Sequence, residues 1–140
     1  MTARTGQAFA ILAVAAVVAA VIGGLLLLGS PKEERERRLD ARRVAALQDI
    51  SAAVDLYWTR QSRLPAVLAE LGHERGIGVE LTDPATGRPY GYRILGERSY
   101  ELCASFAGGA ADRGPAPEGD FWAHGDGEQC FRLEPRVVKP

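Results

Sequence analysis

The sequence predicts an α+β chain: an N-terminal transmembrane helix, then an amphipathic helix packed on a small antiparallel β-sheet. Three observations predict it. Positions 8–28 form an uncharged run of 21 residues, AFAILAVAAVVAAVIGGLLLL. Leu47, Ile50, Val54 and Tyr57 then recur at spacings of three and four, which marks one face of a helix. Beyond residue 78, short β-branched and aromatic segments alternate with Gly, Pro and Asp, the signature of strands joined by turns.

The uncharged run comes first. As a helix it is roughly 30 Å long, the thickness of a hydrocarbon core. A cleavable signal peptide has a shorter apolar region, about 7–15 residues, so the run reads as an anchor that stays in the bilayer. Ser30-Pro31-Lys32-Glu33 signals a new helix: Ser30 can cap, Pro31 fits the first turn and Glu33 takes the capping-box position. A bend or break is therefore expected at 29–31. The first turns of the second helix are nearly all charged and are expected to be solvated. Its apolar stripe, joined by Val44 and Trp58, must cover the segments that follow. Leu64-Pro65 ends this helix and opens a short one, with Leu68 and Leu71 inward and Gly72 as its stop.

The sheet is expected from residues 79–81 as a short strand, 90–95 and 99–106 as a hairpin around Gly96-Glu97, and 121–124 with 129–133 as a last pair. DPATGRPYGY, residues 83–92, turns the chain into the hairpin. In 100–106, Tyr100, Leu102, Ala104 and Phe106 share one face and Cys103 lies on the other. Residues 107–120 read as a loop. The expected organisation is a tail (1–7), a transmembrane helix (8–28), a charged helical linker (29–46), an α+β domain (47–134) and a frayed tail (135–140).

Seventeen basic and eighteen acidic residues leave no basic excess for nucleic acid. The partners expected are the lipid bilayer, through 8–28, and proteins of the envelope. Cys103 and Cys130 are the two cysteines, and their spacing fits no CxxC redox pair, zinc framework or haem attachment site. A disulfide between them would stabilise a small domain by roughly 3.5 kcal/mol and would place it outside the reducing cytoplasm. Two unrelated buried thiols are the alternative. Against an outer location stand Lys32, Arg35, Arg37, Arg38, Arg42 and Arg43, just after the anchor, since basic residues favour the cytoplasmic side. A tethered adaptor on the cytoplasmic face is the second reading.

No catalytic motif is present, and no enzyme activity, cofactor or metal is expected. His124, near Asp126 and Trp122, reads as a surface turn residue, and His73 lies in a loop. Trp58, Trp122, Tyr57 and Tyr92 read as core. Asp112, Glu118, Asp120, Asp126 and Glu128 read as a solvated acidic loop.

The order of parts resembles the type IV pilin and type II secretion pseudopilin superfamily. The residues that carry the resemblance are ISAAVDLYW (50–58), Leu64-Pro65 through Leu68 and Leu71, and DPATGRPYGY. The late cysteine pair is similar to the disulfide of many pilins. The resemblance implies a pilin-like domain in an envelope or secretion assembly, on the periplasmic side of a bacterial inner membrane. It also brings in calcium, which major pseudopilins hold in a loop; the acidic residues here match no defined calcium loop. One departure is plain. Pilin-like precursors carry Gly, then Phe or Met with Thr-Leu-x-Glu, whereas Gly6 is followed by Gln7-Ala8-Phe9-Ala10-Ile11. A permanent anchor, with neither processing nor filament assembly, is the expectation.

Overall fold

The computed structural model describes residues 2–27, 31–108 and 120–138. The chain divides into two compact units, Met1–Arg35 and Glu36–Pro140. Helix α1 (Thr2–Leu27) contains the stretch Gly6–Leu25, which has a mean hydropathy of 2.7 and is long and apolar enough to cross a membrane. None of that stretch is buried by protein. Phe9, Ile11, Leu12 and Leu25 are exposed on it, so its apolar surface has no cover among the described residues. Of the expected break at 29–31, positions 29 and 30, with the Ser30 cap, lie outside the described residues, and Pro31 opens the next helix.

Helix α2 (Pro31–Gln61) carries the predicted stripe. Leu47, Ile50, Val54 and Tyr57 are all buried, and Val44 and Trp58 pack at the margin of the core. The first turns of α2 are largely exposed as expected, but the charged stretch placed at 29–46 as a linker is corrected: Asp40 and Arg43 are buried, and the compact unit begins at Glu36 rather than at Leu47. They lie one and two turns before Leu47 on its own helix face, so they enter the interior with it. Ser62, in the left-handed region at φ 53°, ends the helix, and its N–H donates to the Trp58 carbonyl.

Leu64 and Pro65 are buried, and a 3-10 helix (Leu68–His73) follows, with Leu68 and Leu71 inward as expected. Gly72 lies within it rather than closing it. Glu74 closes it, its N–H donating to the Leu71 carbonyl. The Tyr57 hydroxyl donates to Glu70 at 2.6 Å, which ties this short helix to α2. Burial, and then this hydrogen bond, raise the Tyr57 phenol; the same bond lowers the Glu70 carboxyl.

Strand β1 (Gly91–Gly96), β2 (Ser99–Phe106) and β3 (Gly127–Leu133) form an antiparallel sheet in the order β1-β2-β3. Two of the sheet expectations are corrected. Residues 79–81 form no strand; backbone pairing there is a Thr82–Pro89 bridge and the Tyr90 N–H to the Leu81 carbonyl, while Val79 and Leu81 pack against the core. Residues 121–124 do not pair with 129–133. Instead β3 pairs with β2, Leu102 opposite Phe131 and Cys103 opposite Cys130. That register puts Phe131 on the core face, where Trp122 packs on its ring at 4.9 Å and Phe121 at 6.0 Å. Burying Phe131 and part of Trp122, with Phe121 left exposed, outweighs the backbone pairing that a local hairpin would have supplied.

Tyr100, Leu102, Ala104 and Phe106 are buried, as the alternation predicts, and meet the α2 stripe to form the core. Ser51 of α2 hydrogen-bonds the Tyr100 hydroxyl, and burial pushes that phenol up. Of the four aromatics read as core, Tyr57 is buried, while Trp58, Tyr92 and Trp122 pack part-buried against it. The Tyr92 hydroxyl donates to the Pro65 carbonyl at 2.8 Å, and burial pushes it up to about 12.

The tail is not frayed at its start. Pro135 is buried, the Arg136 N–H donates to Asp55 at 2.8 Å, and the Val138 N–H donates to Thr59 at 3.0 Å. Asp55 and Thr59 are one turn apart on α2, and alternate amides of an extended segment reach them both.

Candidate functional site

The densest polar chemistry in the described residues surrounds Arg43. Asp40 and Arg43 stand one turn apart on α2, and Asp83 opens the proline-rich turn. Their residues are only 2%, 6% and 7% exposed. Arg43 Nε donates to Asp83 Oδ2, its second amino group reaches Asp83 Oδ1 at 3.4 Å, and NH1 donates to Asp40 Oδ1 at 2.8 Å. The fork of the guanidinium thus grips one carboxylate with two nitrogens and a second with the third, a geometry that a lysine ammonium lacks.

The remaining carboxylate capacity is taken by backbone. Asp83 Oδ1 accepts the N–H groups of Ala85 at 2.8 Å and Thr86 at 2.9 Å, which shapes the turn from within. Gly87, at φ 67°, and the Asp83 N–H to the Arg88 carbonyl complete that turn. Asp40 accepts Ala107 N–H at 3.1 Å and Gly108 N–H at 2.9 Å, where the chain leaves β2. Three distant parts of the domain are therefore fastened at one buried point. Burial works to raise the Asp83 carboxyl, but the hydrogen bond from Arg43 and those from Thr86 and Ala85 prevail and hold it at about 2. Arg43 is in turn raised, first by its bond to Asp83.

A cleft of about 320 Å³ opens beside this cluster, lined by Arg43, Asp83, Arg88, Tyr90, Cys103 and Glu128, among others. Tyr90 is 6% exposed, and its hydroxyl has no hydrogen-bond partner among the described residues. On the far side of the cleft, Cys103 and Cys130 are joined in a disulfide, with their Cα atoms 4.1 Å apart. The bridge lies on the face of β2 opposite the core, and Cys130 is exposed. Gly91 stands next in the same row, paired with Cys103. A Cβ at Gly91 would lie 2.9 Å from the Cys103 Cβ, a contact that real structures do not tolerate. Gly91→Ala is expected to destabilise the domain by about 1–3 kcal/mol through this overlap. Urea denaturation checks it, with Gly78→Ala, where a Cβ meets nothing within 4 Å, as the neutral control.

Glu101 joins the two sulfurs in a group that lies within 4.8 Å. Both sulfurs are bonded to each other and Glu101 is held by Arg93, so the group offers a metal no thiolate and a carboxylate already engaged. The sequence-predicted polar residues are dispersed. His124 stacks on Phe106 with ring centroids 3.8 Å apart, a part-buried position rather than a surface turn. His73 is exposed at the end of the 3-10 helix. Asp120 receives the Trp122 N–H at 3.1 Å and orders its own turn. Asp112 and Glu118 lie outside the described residues.

The sequence reading missed Asp40, Arg43 and Asp83 as a cluster. The usable signal was the apolar stripe itself, which continues backwards through Arg43 and Asp40 at spacings of four and three. Comparison with protein-family models, with curated proteins and with solved structures gave no match.

Proposed function

We propose that this chain is a single-pass membrane-anchored interaction protein that displays a pilin-like α+β domain on the oxidising side of an envelope. The observation that carries the reading is the Cys103–Cys130 bridge in a chain that also holds a helix long and apolar enough to span a membrane. Disulfides persist where thiols are not kept reduced, and a domain of this size gains much of its stability from one. The amphipathic helix, the Leu64-Pro65 corner, the proline-rich turn and a late-bridged antiparallel meander support the pilin-like plan. The role we read is structural: to hold a partner in a secretion or other envelope assembly. The Gln7-Ala8-Phe9 start favours a permanent tether over a processed filament subunit.

The second reading, a tethered adaptor on the cytoplasmic face, is favoured by Lys32, Arg35, Arg37, Arg38, Arg42 and Arg43 beside the anchor. One experiment separates them. Ala69→Cys places a thiol on an exposed position of the 3-10 helix. Labelling by a membrane-impermeant maleimide in intact spheroplasts is expected. Labelling only after permeabilisation overturns the outer location and establishes the adaptor topology.

A further inference from the structure

We propose that the open edge of β1 is a docking site for a short, extended, acidic segment of a partner protein, which joins the sheet as an added strand. The order β1-β2-β3 leaves β1 at an edge. Among the described residues, the backbone of 91–96 pairs with β2 alone, so its outward amides and carbonyls have no partner there. Five of its six residues are exposed, Ile94 and Leu95 among them. The opposite edge, β3, exposes Gly127, Glu128, Cys130 and Arg132 and no large apolar residue. An edge strand with exposed aliphatic side chains, and without the lysine or proline that usually guards one, is a template for another extended chain.

What can add there is set by what lies beside the edge. The register with β2 shifts between Ile94 and Gly96, so the regular run ends at Ile94. A ladder that short suits a linear segment better than the sheet of a second copy. The side chains of an added strand fall alternately on the two faces. Ile94 lies opposite Tyr100 and shares the core face, whereas Arg93 lies opposite Glu101 on the outer face. On the core side a groove of about 460 Å³ adjoins Ile94, lined also by Trp58, Leu64, Arg63 and Arg98, with Glu97 as its one acid. That floor takes an apolar side chain. On both faces the arginines reach further out than the acids they pair with. The Arg93 side chain is 73% exposed against 12% for Glu101, and that of Arg63 is 58% exposed against 29% for Glu70. Arg98, over the Trp58 ring, is exposed and joins no carboxylate among the described residues. The edge is thus apolar beneath and positive at its rim, and the segment that complements it alternates apolar residues with acidic ones. All these residues belong to the Glu36–Pro140 unit. The inference rests on the reading of this chain as an interaction protein, and names the chemistry of its partner.

The test uses the full chain in detergent micelles and a dye-labelled peptide capped at both ends, VEVEVE, with binding read by fluorescence anisotropy. Wild type is expected to bind it saturably, and to bind VKVKVK roughly tenfold more weakly. VEVEVE methylated on every backbone nitrogen keeps its side chains but donates no main-chain hydrogen bond, and is expected not to bind. Ile94→Lys puts a lysine on the edge, and Arg98→Glu reverses one rim charge. Each should weaken VEVEVE by roughly tenfold with a urea midpoint near that of wild type, and Arg98→Glu should also narrow the gap between the two peptides. The peptide comparisons on wild type stand whatever the variants do to the fold. Absence of saturable binding by wild type, equal binding of the methylated peptide, or undiminished binding by either folded variant overturns the site. So does a wild-type dimer in sedimentation equilibrium that Ile94→Lys disperses, which assigns the edge to a second copy. The Ala69→Cys labelling reads the membrane side separately. Labelling only after permeabilisation refutes the outer location and leaves the peptide result standing, whereas outer labelling with no peptide binding refutes the docking edge alone.

Discussion

Arg43→Met is expected to destabilise the 36–140 unit by about 3–5 kcal/mol, the loss typical when one partner of a buried charge cluster is removed. The variant would leave Asp40 and Asp83 facing each other across an apolar side chain. A domain with a total of about 5–15 kcal/mol approaches unfolding under such a loss. Urea denaturation followed by the fluorescence of Trp58 and Trp122 measures it. Adding Asp40→Asn and Asp83→Asn to the same chain should recover much of the stability, since the penalty comes from charge without a partner. The pH dependence gives a second signature. The Asp83 carboxyl sits at about 2 in the folded chain, below its ordinary value. Its contribution, on the order of 2 kcal/mol, is therefore complete above about pH 4 and is lost as the pH falls through about 2. In Arg43→Met the guanidinium that holds the carboxyl down is gone and burial drives it up. The variant should then gain on wild type as the solution is acidified from neutrality, a reversal that a simple packing defect would not produce.

Breaking the Cys103–Cys130 bridge is expected to lower stability by about 3–4 kcal/mol, from the freedom the unfolded chain regains over a 27-residue separation. The Cys103→Ala/Cys130→Ala variant and reduced wild type should shift to lower urea concentration by similar amounts, because the bridge lies on the outer face and its loss opens no core cavity. An unchanged urea midpoint on reduction would remove the disulfide from among the causes of the domain's stability. The two changes act at different points of the sheet end, one on the folded interior and one on the unfolded chain. Their combination, a loss of about 6–9 kcal/mol, should leave the domain unfolded at ambient temperature if its total lies in the lower half of the usual range.

Local periodicity made much of this fold readable. The face of Leu47, Ile50, Val54 and Tyr57 follows from the helical repeat, and the hairpin over β1 and β2 follows from the turn chemistry expected at Gly96-Glu97, although the turn itself falls on Glu97-Arg98 and Gly96 closes β1 opposite Ser99. The alternation of Tyr100, Leu102, Ala104 and Phe106 placed Cys103 on the outer face, where it is found. What escaped depends on partners far away in sequence. Asp40 looked solvated because its neighbours are charged; its partners, the amides of Ala107 and Gly108, lie 67 and 68 positions away. Arg43 and Asp83 are 40 positions apart. The pairing of β3 was misread because residues 121–124 are nearer in sequence than β2, while the packing of Phe131 against Trp122 decides the outcome. The tail looked loose by composition, and its anchors, Asp55 and Thr59, carry no sign in the sequence that backbone amides will find them.

The direct opposition of Cys103 and Cys130 across β2 and β3 has a further effect on how the chain matures. Sliding β3 by one position would turn one sulfur toward the interior and the other away, beyond bonding range. Oxidation can then seal only the correct alignment. A misthreaded sheet stays unsealed and free to rearrange, and the bridge becomes a checkpoint that stores the right answer once it has been reached.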